Sequence, residues 1–299
     1  MFYKLQDRIG RFRFAGGVSA LLRSAPVSLD ESSGLALLSQ LQHKDVLMFL
    51  LAVKSFAKQI RPRAVFVLND GSLSHGDRVL LGAHLPGVAF LELPDFRSTA
   101  CPTGGCWERL LAISALVKDY YVIQLDSDTL SVGAIDEVRD CVRRQAAFAL
   151  GTWDNQECES MREQWETAVR LKPGPGSHVQ LVAEANFHKL RDFETLRYIR
   201  GCAGFAGFPR FSFTRDFVET ISIQMRAAIG DKWAEWGSEQ VMSNIAVANI
   251  PGAVVLPHPK YADCQKMKPG QTAFIHFIGS CRFKRGMYAK LGAEVIEAL

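Results

Sequence analysis

The run Tyr120-Tyr121-Val122-Ile123-Gln124-Leu125-Asp126-Ser127-Asp128-Thr129-Leu130 constrains this chain most. Its apolar, β-branched start reads as a buried strand, and two carboxylates one residue apart arrive at the end of that strand. Like charges at this spacing repel, so they are stable together where a cation or hydrogen-bond donors hold them. Hard divalent ions prefer such oxygen ligands in company with substrate phosphates. The pair therefore reads as a metal clamp for a phosphate-bearing ligand. A strand ending in an Asx turn would give the same tripeptide with no function. The setting favours the clamp, because a helical stretch precedes it and the small residues Ser131-Val132-Gly133-Ala134 follow.

Around this strand the chain alternates apolar strand-like runs with helical periods, the pattern of an α/β sandwich on a mostly parallel sheet. Leu35 to Ser39 reads as the first strand, and Asp45 as the cap of a helix carrying Val46, Leu47, Phe49, Leu50, Val53 and Phe56. Ala64–Leu68 and Gly87–Leu93 follow as strands, the first ending at Asn69-Asp70-Gly71-Ser72, and a helix from about Trp107 to Lys118 leads into the Asp126 strand. In such sheets ligands gather beyond the carboxyl ends of the strands, where Asp70, Asp126 and Asp128 all fall. Asp70 is accordingly a candidate for the base or ribose of a nucleotide, or serves only its Asp-Gly turn. No Gly-x-Gly-x-x-Gly follows the first strand and no Gly-x-x-x-x-Gly-Lys-Ser/Thr occurs, which argues against dinucleotide and P-loop folds.

A chain of 299 residues, 48% hydrophobic and 22% charged, suits one large or two modest globular domains. Its net charge of +4 with dispersed arginines is no nucleic-acid footprint and leans only slightly toward anionic partners. The seven cysteines at 101, 106, 141, 158, 202, 264 and 281 form an odd, scattered set without Cys-x-x-Cys units. That pattern argues against a zinc site and against a disulfide framework, and a reducing cytoplasm is the simplest home. No apolar run approaches the ~20 residues of a spanning helix, and the N-terminus lacks the apolar core and cleavage site of a signal peptide. Residues 1–30 stand apart as an arm in which Phe2, Tyr3, Phe12 and Phe14 alternate with Lys4, Arg8, Arg11, Arg13 and Arg23. Such an arm can make peripheral contact with an anionic membrane or pack on the domain over 31–299; the shortness of the pattern favours packing.

Trp107-Glu108-Arg109-Leu110-Leu111 followed by Val122–Leu130 resembles the region before and through the Asp-x-Asp motif of GT-A glycosyltransferases. Arg200-Gly201-Cys202-Ala203-Gly204-Phe205 resembles the glycine-containing strand that passes the sugar donor in that family, without its usual asparagine. Trp236-Gly237-Ser238-Glu239-Gln240-Val241-Met242-Ser243-Asn244 resembles the Asp-Gln-x-x-Leu-Asn segment of the glycogenin-like members, with Glu239 in place of the aspartate. His276-Phe277-Ile278-Gly279 resembles the element whose histidine completes the metal site, though Arg282 stands where lysine is usual and the following Pro-Trp is missing. The motifs run in the family's order across residues 34 to 285.

This resemblance implies a single GT-A-like, Rossmann-like α/β/α sandwich over 31–299, with a mostly parallel mixed central sheet. It also implies transfer of a sugar from a nucleotide-sugar donor, mostly a UDP-sugar in the enzymes it resembles, to a glycan, lipid-linked or protein hydroxyl. Mn2+ or Mg2+ would be held by Asp126, Asp128 and His276, acting as Lewis acid on the diphosphate. Asp126 also falls near the ribose, and Asp70, Arg109, Gly201, Gly204, Gly279 and Arg282 complete the donor-binding set. Arg282 and Lys284 are placed to pair with diphosphate oxygens. Glu239 and Gln240 are the catalytic candidates: Glu239 is either the base toward an acceptor hydroxyl or a group beside the reacting sugar, and the Glu-Gln-x-x-Ser-Asn pattern leans to retention. The stretch from Trp153 to Arg200, with Trp165 and the Lys172–Gly176 loop, is the expected acceptor region.

Two other readings carry weight. The substituted asparagine and missing Pro-Trp fit a catalytically inactive, nucleotide-sugar-binding relative. A haloacid-dehalogenase-type phosphatase also places Asp-x-Asp after an apolar strand, but near the chain start and with a Thr or Val where Leu130 stands.

Overall fold

The structure, a computed structural model, describes residues 2–174, 176–279 and 281–299, with side chains from Asp7 onward. Pro175 of the Lys172–Gly176 loop and the side chains of Phe2, Tyr3 and Lys4 thus lie outside the described residues. The strands are β1 Leu35–Leu41, β2 Ala64–Asn69, β3 Ala89–Glu92, β4 Tyr121–Leu125, β5 Thr129–Ser131, β6 Phe148–Leu150, β7 Glu159–Ser160, β8 Arg197–Tyr198, β9 Cys202–Phe208, β10 Val254–Leu256, β11 Tyr261–Asp263 and β12 Phe274–His276. The α-helices are α1 Phe2–Gly17, α2 Val46–Gln59, α3 His75–His84, α4 Trp107–Leu116, α5 Asp136–Arg144, α6 Met161–Arg170, α7 Val179–Glu184, α8 Arg215–Ile229, α9 Ser238–Ala248 and α10 Met287–Glu297.

Seven strands form one sheet in the order β10-β6-β9-β4-β1-β2-β3. Only β9 runs against its neighbours β4 and β6; the other pairings are parallel. The apolar runs are continuous because both faces are covered. Leu37, Val65, Val67, Ile123 and Leu125 enter a core shared with α2, whereas Leu38, Leu68, Val122, Ala206 and Phe208 enter a second core with α4 and α9. This is the expected α/β sandwich with a mostly parallel mixed sheet. None of the described helices is long and apolar enough to cross a membrane.

A second, three-stranded sheet, β11-β12-β5, stands over the carboxyl end of β4. Strand β5 begins immediately after Asp128 and pairs antiparallel with β12, so that Thr129 faces His276. The Phe277 N–H donates to the Asp128 carbonyl at 2.8 Å, extending the pairing to the aspartate itself.

One expectation is corrected here and a second loses its support. Asp45 stands at the N-cap of α2, but its carboxylate makes no capping bond; it accepts from Arg11 Nη1 of α1 at 2.5 Å instead, tying the N-terminal helix to the domain. Cys264 and Cys281 form a disulfide across 17 residues, while Cys101, Cys106, Cys141, Cys158 and Cys202 are free. The bridge closes because β11 and β12 are adjacent parallel strands whose exits carry the two cysteines, a proximity that sequence spacing does not disclose. One bridge is no framework, but it removes the cysteine argument for a reducing compartment.

Gly207 of β9 is closely packed in the central sheet. A Cβ there would lie 2.2 Å from Phe148 Cε1 and 2.5 Å from the Tyr121 hydroxyl, and that hydroxyl donates to the Ala146 carbonyl at 2.7 Å. Gly207→Ala is expected to cost about 1–3 kcal/mol through overpacking, read as a lower urea midpoint with an unchanged slope.

Candidate metal and donor site

The loop after β4 carries Asp126 and Asp128 into a cleft of about 380 Å³. Its fixed point is the Asp126 backbone, whose N–H donates to the Gly204 carbonyl of β9 at 2.9 Å. Asp128 is buried and Asp126 half-buried. His276, the last residue of β12, turns its imidazole toward both: Nε2 lies 3.2 Å from Asp128 Oδ1 and 3.7 Å from Asp126 Oδ2. Its other nitrogen, Nδ1, lies 3.2 Å from Cys202 Sγ. One ligand atom from each of Asp126, Asp128 and His276 falls within 4.8 Å of the others.

Gly204 makes this approach possible. A Cβ at that position would sit 2.1 Å from His276 Cε1 and 2.5 Å from Nδ1, so the imidazole lies where any other side chain would be. Two carboxylates and one imidazole nitrogen, with the second nitrogen occupied by a neighbour, form a donor set suited to a first-row divalent ion such as Mn2+. The residues present therefore fit a divalent cation.

Two guanidinium groups and the imidazole balance the carboxylates. Arg282 Nη2 donates to Asp128 Oδ2, and its Nε donates to the Phe277 carbonyl at 3.2 Å. Burial alone would raise the Asp128 pKa, but His276 and Arg282 outweigh it and hold the carboxyl below the ordinary carboxylate range. Arg109, from the first turn of α4, is buried rather than a surface helix charge, being 5% exposed. Its Nη1 donates to Asp126 Oδ1, and its Nη2 lies 3.4 Å from both oxygens of Glu239. Arg109 Nε is buried without a partner among the described residues.

Glu239 stands in the first turn of α9, after Gly237, whose φ of +101° is open to glycine at little cost. Burial pushes its carboxyl up to about 7; Arg109 opposes the shift and Asp126 adds to it. Gln240 beside it reaches Gln180 Oε1 through Nε2 at 3.3 Å, and its Oε1 lies 3.5 Å from the Ala203 N–H. Gly201 and Gly279 line the same cleft. Gly201 is tightly enclosed, since a Cβ would meet the Leu150 carbonyl at 3.0 Å and Ala149 Cβ at 3.1 Å.

Asp70 is the exception. It is absent from the cleft wall, and its Oδ1 accepts from the Ser72 N–H at 2.9 Å and hydroxyl at 2.6 Å, closing the Asx turn. Trp165 likewise packs on Phe193 and His188, with ring centroids 5.8 and 5.3 Å away, away from the site. From the expected acceptor stretch the cleft receives Thr152, His178, Gln180 and Arg200 instead.

Sequence reasoning assigned no role to Trp236, which is 76% exposed at the cleft wall with the His178 ring 6.1 Å away. Cys202, which faces the imidazole, was passed over too. Trp236 stood inside the quoted α9 motif, and its place next to Gly237 was the available signal. Nothing in the sequence pairs Cys202 with a histidine 74 residues on.

No protein-family model matches the chain, and no curated protein matches it. Solved structures similar to it include the Mn/GDP form of core-mannan synthase A from Aspergillus fumigatus, at 10% identity over 83% of this chain and 82% of that one, with a TM-score of 0.45. The galactosyltransferase LgtC with donor and acceptor sugar analogues is 14% identical over 88% and 96%, with a TM-score of 0.40. Mouse xyloside xylosyltransferase 1 in its apo form is 11% identical over 83% and 98%, with a TM-score of 0.44. These neighbours are glycosyltransferases, the class whose motifs the sequence resembles. Similarity at this level carries no statement about activity, which has to be argued from the cleft.

Gly204→Ala is expected to displace His276 and weaken Mn2+ binding about 10–100-fold, the usual cost of disturbing a ligand's support. A paramagnetic titration of the purified protein measures it, with Gly82→Ala in α3, where a Cβ would meet open space, as the control.

Proposed function

We propose that the chain is a metal-dependent glycosyltransferase that moves a sugar from a nucleotide-sugar donor, a UDP-sugar on the motif resemblance, to a hydroxyl acceptor. The observation that carries this reading is the convergence of Asp126, Asp128 and His276 on one point, inside a cleft whose walls also hold Arg109, Arg282 and Glu239. A cleft that combines a cation-binding point with two guanidinium groups suits a diphosphate, because each part of the ligand's charge meets its complement. The bound ion supplies Lewis-acid neutralisation of the departing diphosphate.

The chain's own residues supply the rest. Arg282, on the segment that follows His276, is the diphosphate's guanidinium partner. Arg109 holds Asp126 and Glu239 in fixed relation from one buried fork, which orients both toward the same part of the donor. Gly204 leaves the space that the His276 imidazole fills, and Gly201 lets the chain entering β9 pass close to the Leu150 carbonyl, so both glycines shape the cleft wall. Glu239 acts as a carboxylate, either taking the acceptor proton or facing the positive charge that develops at the transferred sugar. The Glu-Gln pair favours retention, with the Gln240 amide beside the sugar. The division expected from the sequence belongs to the same proposal: a transferase domain over 31–299 with 1–30 as its appendage, seated through Phe14, Val18 and Leu21 in the domain core.

Calorimetry with UDP and GDP in Mn2+, repeated in chelator, tests the donor site. Binding of one diphosphate that disappears in chelator and in Asp128→Asn is the expected result; binding unaffected by either change would overturn it. Binding without sugar transfer to any acceptor would identify an inactive relative.

Glu239→Gln is expected to keep nucleotide binding within about threefold while slowing transfer by about 10²–10⁴, the range of acid–base contributions. Because the working form is the carboxylate and its pKa is near 7, the wild-type rate should rise as pH climbs through that value. The Gln variant should lack this limb. A pH profile of identical shape in both proteins would remove Glu239 from the reaction.

A further inference from the structure

Helix α1 is amphipathic in an unusual sense, because Gly10 faces inward while Phe12 faces water. On the inner side, a Cβ at Gly10 would lie 2.5 Å from Phe283 Cβ and one at Gly17 would lie 3.0 Å from Ala289 Cβ. The helix thus lies directly on the 283–289 segment, with Phe14 buried between them and its ring 4.4 Å from Tyr288. On the outer side stand Ile9, 44% exposed, and Phe12, 82% exposed, flanked by exposed Arg8 and Arg13. Residues 8, 9, 12 and 13 share one helical face by their spacing.

Beside the helix the neighbouring segment exposes Lys284, Arg285, Met287 and Lys290, and Lys284 and Arg285 share a cavity wall with Ile9 and Arg13. None of Arg8, Arg13, Lys284, Arg285 and Lys290 forms an ion pair with a described residue, whereas the one acidic residue of the described part of the helix, Asp7, is already engaged by Arg11. Between the two segments lies a cavity of about 530 Å³ walled by Arg13, Phe283, Lys284 and Arg285. Gly279 belongs to the wall of this cavity and to that of the metal and donor cleft.

We propose that the face formed by α1 and residues 284–290 docks the protein on an anionic phospholipid bilayer, with the cleft opening at the bilayer edge through Gly279. Unpaired cations supply the attraction to anionic headgroups, and Phe12, Ile9 and Met287 supply the apolar insertion that charge alone lacks. The combination selects a bilayer over a nucleic acid, which would use the cations but not three aliphatic and aromatic side chains aimed at solvent. The docking does not depend on the glycosyltransferase reading. Its consequence does: on that reading, the hydroxyl acceptor is carried by a lipid and reaches the cleft along the membrane.

The test is flotation of the full chain with vesicles of phosphatidylcholine alone and of equal phosphatidylcholine and phosphatidylglycerol, in low and high salt. The wild-type chain should float with the anionic vesicles, stay behind with the neutral ones, and dissociate as salt shortens the screening length. Phe12→Ser and the double change Arg8→Glu with Arg13→Glu should each lower the bound fraction about tenfold. Lys284→Glu with Arg285→Glu repeats the test on the other segment and does not touch α1. Failure of the wild-type chain to float, equal flotation with neutral vesicles, or undiminished flotation of all variants would overturn the proposal. UDP calorimetry on the same preparation separates the two readings. Flotation without nucleotide binding removes the transferase and keeps the docking face; nucleotide binding without flotation does the reverse.

Discussion

Three carboxylates, two guanidinium groups and one imidazole share one largely buried volume, and their balance governs the rest of the molecule. Opposite charges about 4 Å apart attract by about 4 kcal/mol at the effective dielectric of a protein, while burying an ion costs several kcal/mol. Asp126 and Asp128 each hold a guanidinium in close contact, and for Asp128 the attraction of His276 and Arg282 outweighs desolvation. Glu239 receives only the second nitrogen of Arg109, at 3.4 Å, so desolvation wins and its pKa climbs to about 7. The same arithmetic makes the cleft receptive to a cation and an anion together. A cation alone would have to compete with Arg282 for Asp128, whereas a diphosphate arriving with it offers that guanidinium a new partner. On the proposed reading, this coupling is what makes donor binding metal-dependent.

Backbone pairing, rather than side-chain chance, brings these groups together. The antiparallel β5–β12 register sets His276 across from Thr129, and the Phe277 N–H fixes the Asp128 carbonyl. Strand β9 supplies the opposite wall: the Gly204 carbonyl holds the Asp126 N–H while its missing side chain admits the imidazole. Arg109 and Glu239 come from the first turns of α4 and α9, two helices that cover the same face of the sheet. Their buried anchor is the Trp107 indole N–H, which donates to Ser238 Oγ at 2.9 Å. Each of these contacts joins a residue to its neighbour's partner, so the two helix starts and the Asp-x-Asp loop form one rigid frame.

How much of this was legible follows from the range of each interaction. The β4 run announced a buried strand because period and composition are local. Asp126, Asp128, Glu239, Arg109 and His276 were named through motif order and do meet in one cleft. Asp70 was misplaced because its strand end looks the same in sequence whether it faces a cleft or closes a turn; the Ser72 hydrogen bonds decide it. The Cys264–Cys281 bridge, the Cys202 contact to His276 and the positions of His178 and Gln180 in the cleft wall depend on strand adjacency over tens to hundreds of residues. No local pattern encodes them.

The segment from His276 to Tyr288 shows how a short stretch can serve two surfaces at once. His276 faces the carboxylates, Arg282 reaches Asp128, and Cys281 is tied back to Cys264. Six residues after Arg282, Tyr288 stacks on Phe277 with centroids 4.1 Å apart and directs its hydroxyl to the Ser127 carbonyl at 3.4 Å. The loop between the two aspartates therefore rests on the ring that also seats Phe14 of α1. A displacement of α1 would be felt first at Tyr288, and through it at the backbone between Asp126 and Asp128. Packed interiors transmit such strain because they have little free volume to absorb it. The outer helix is thus mechanically continuous with the metal-binding loop, although more than a hundred residues separate them in the chain.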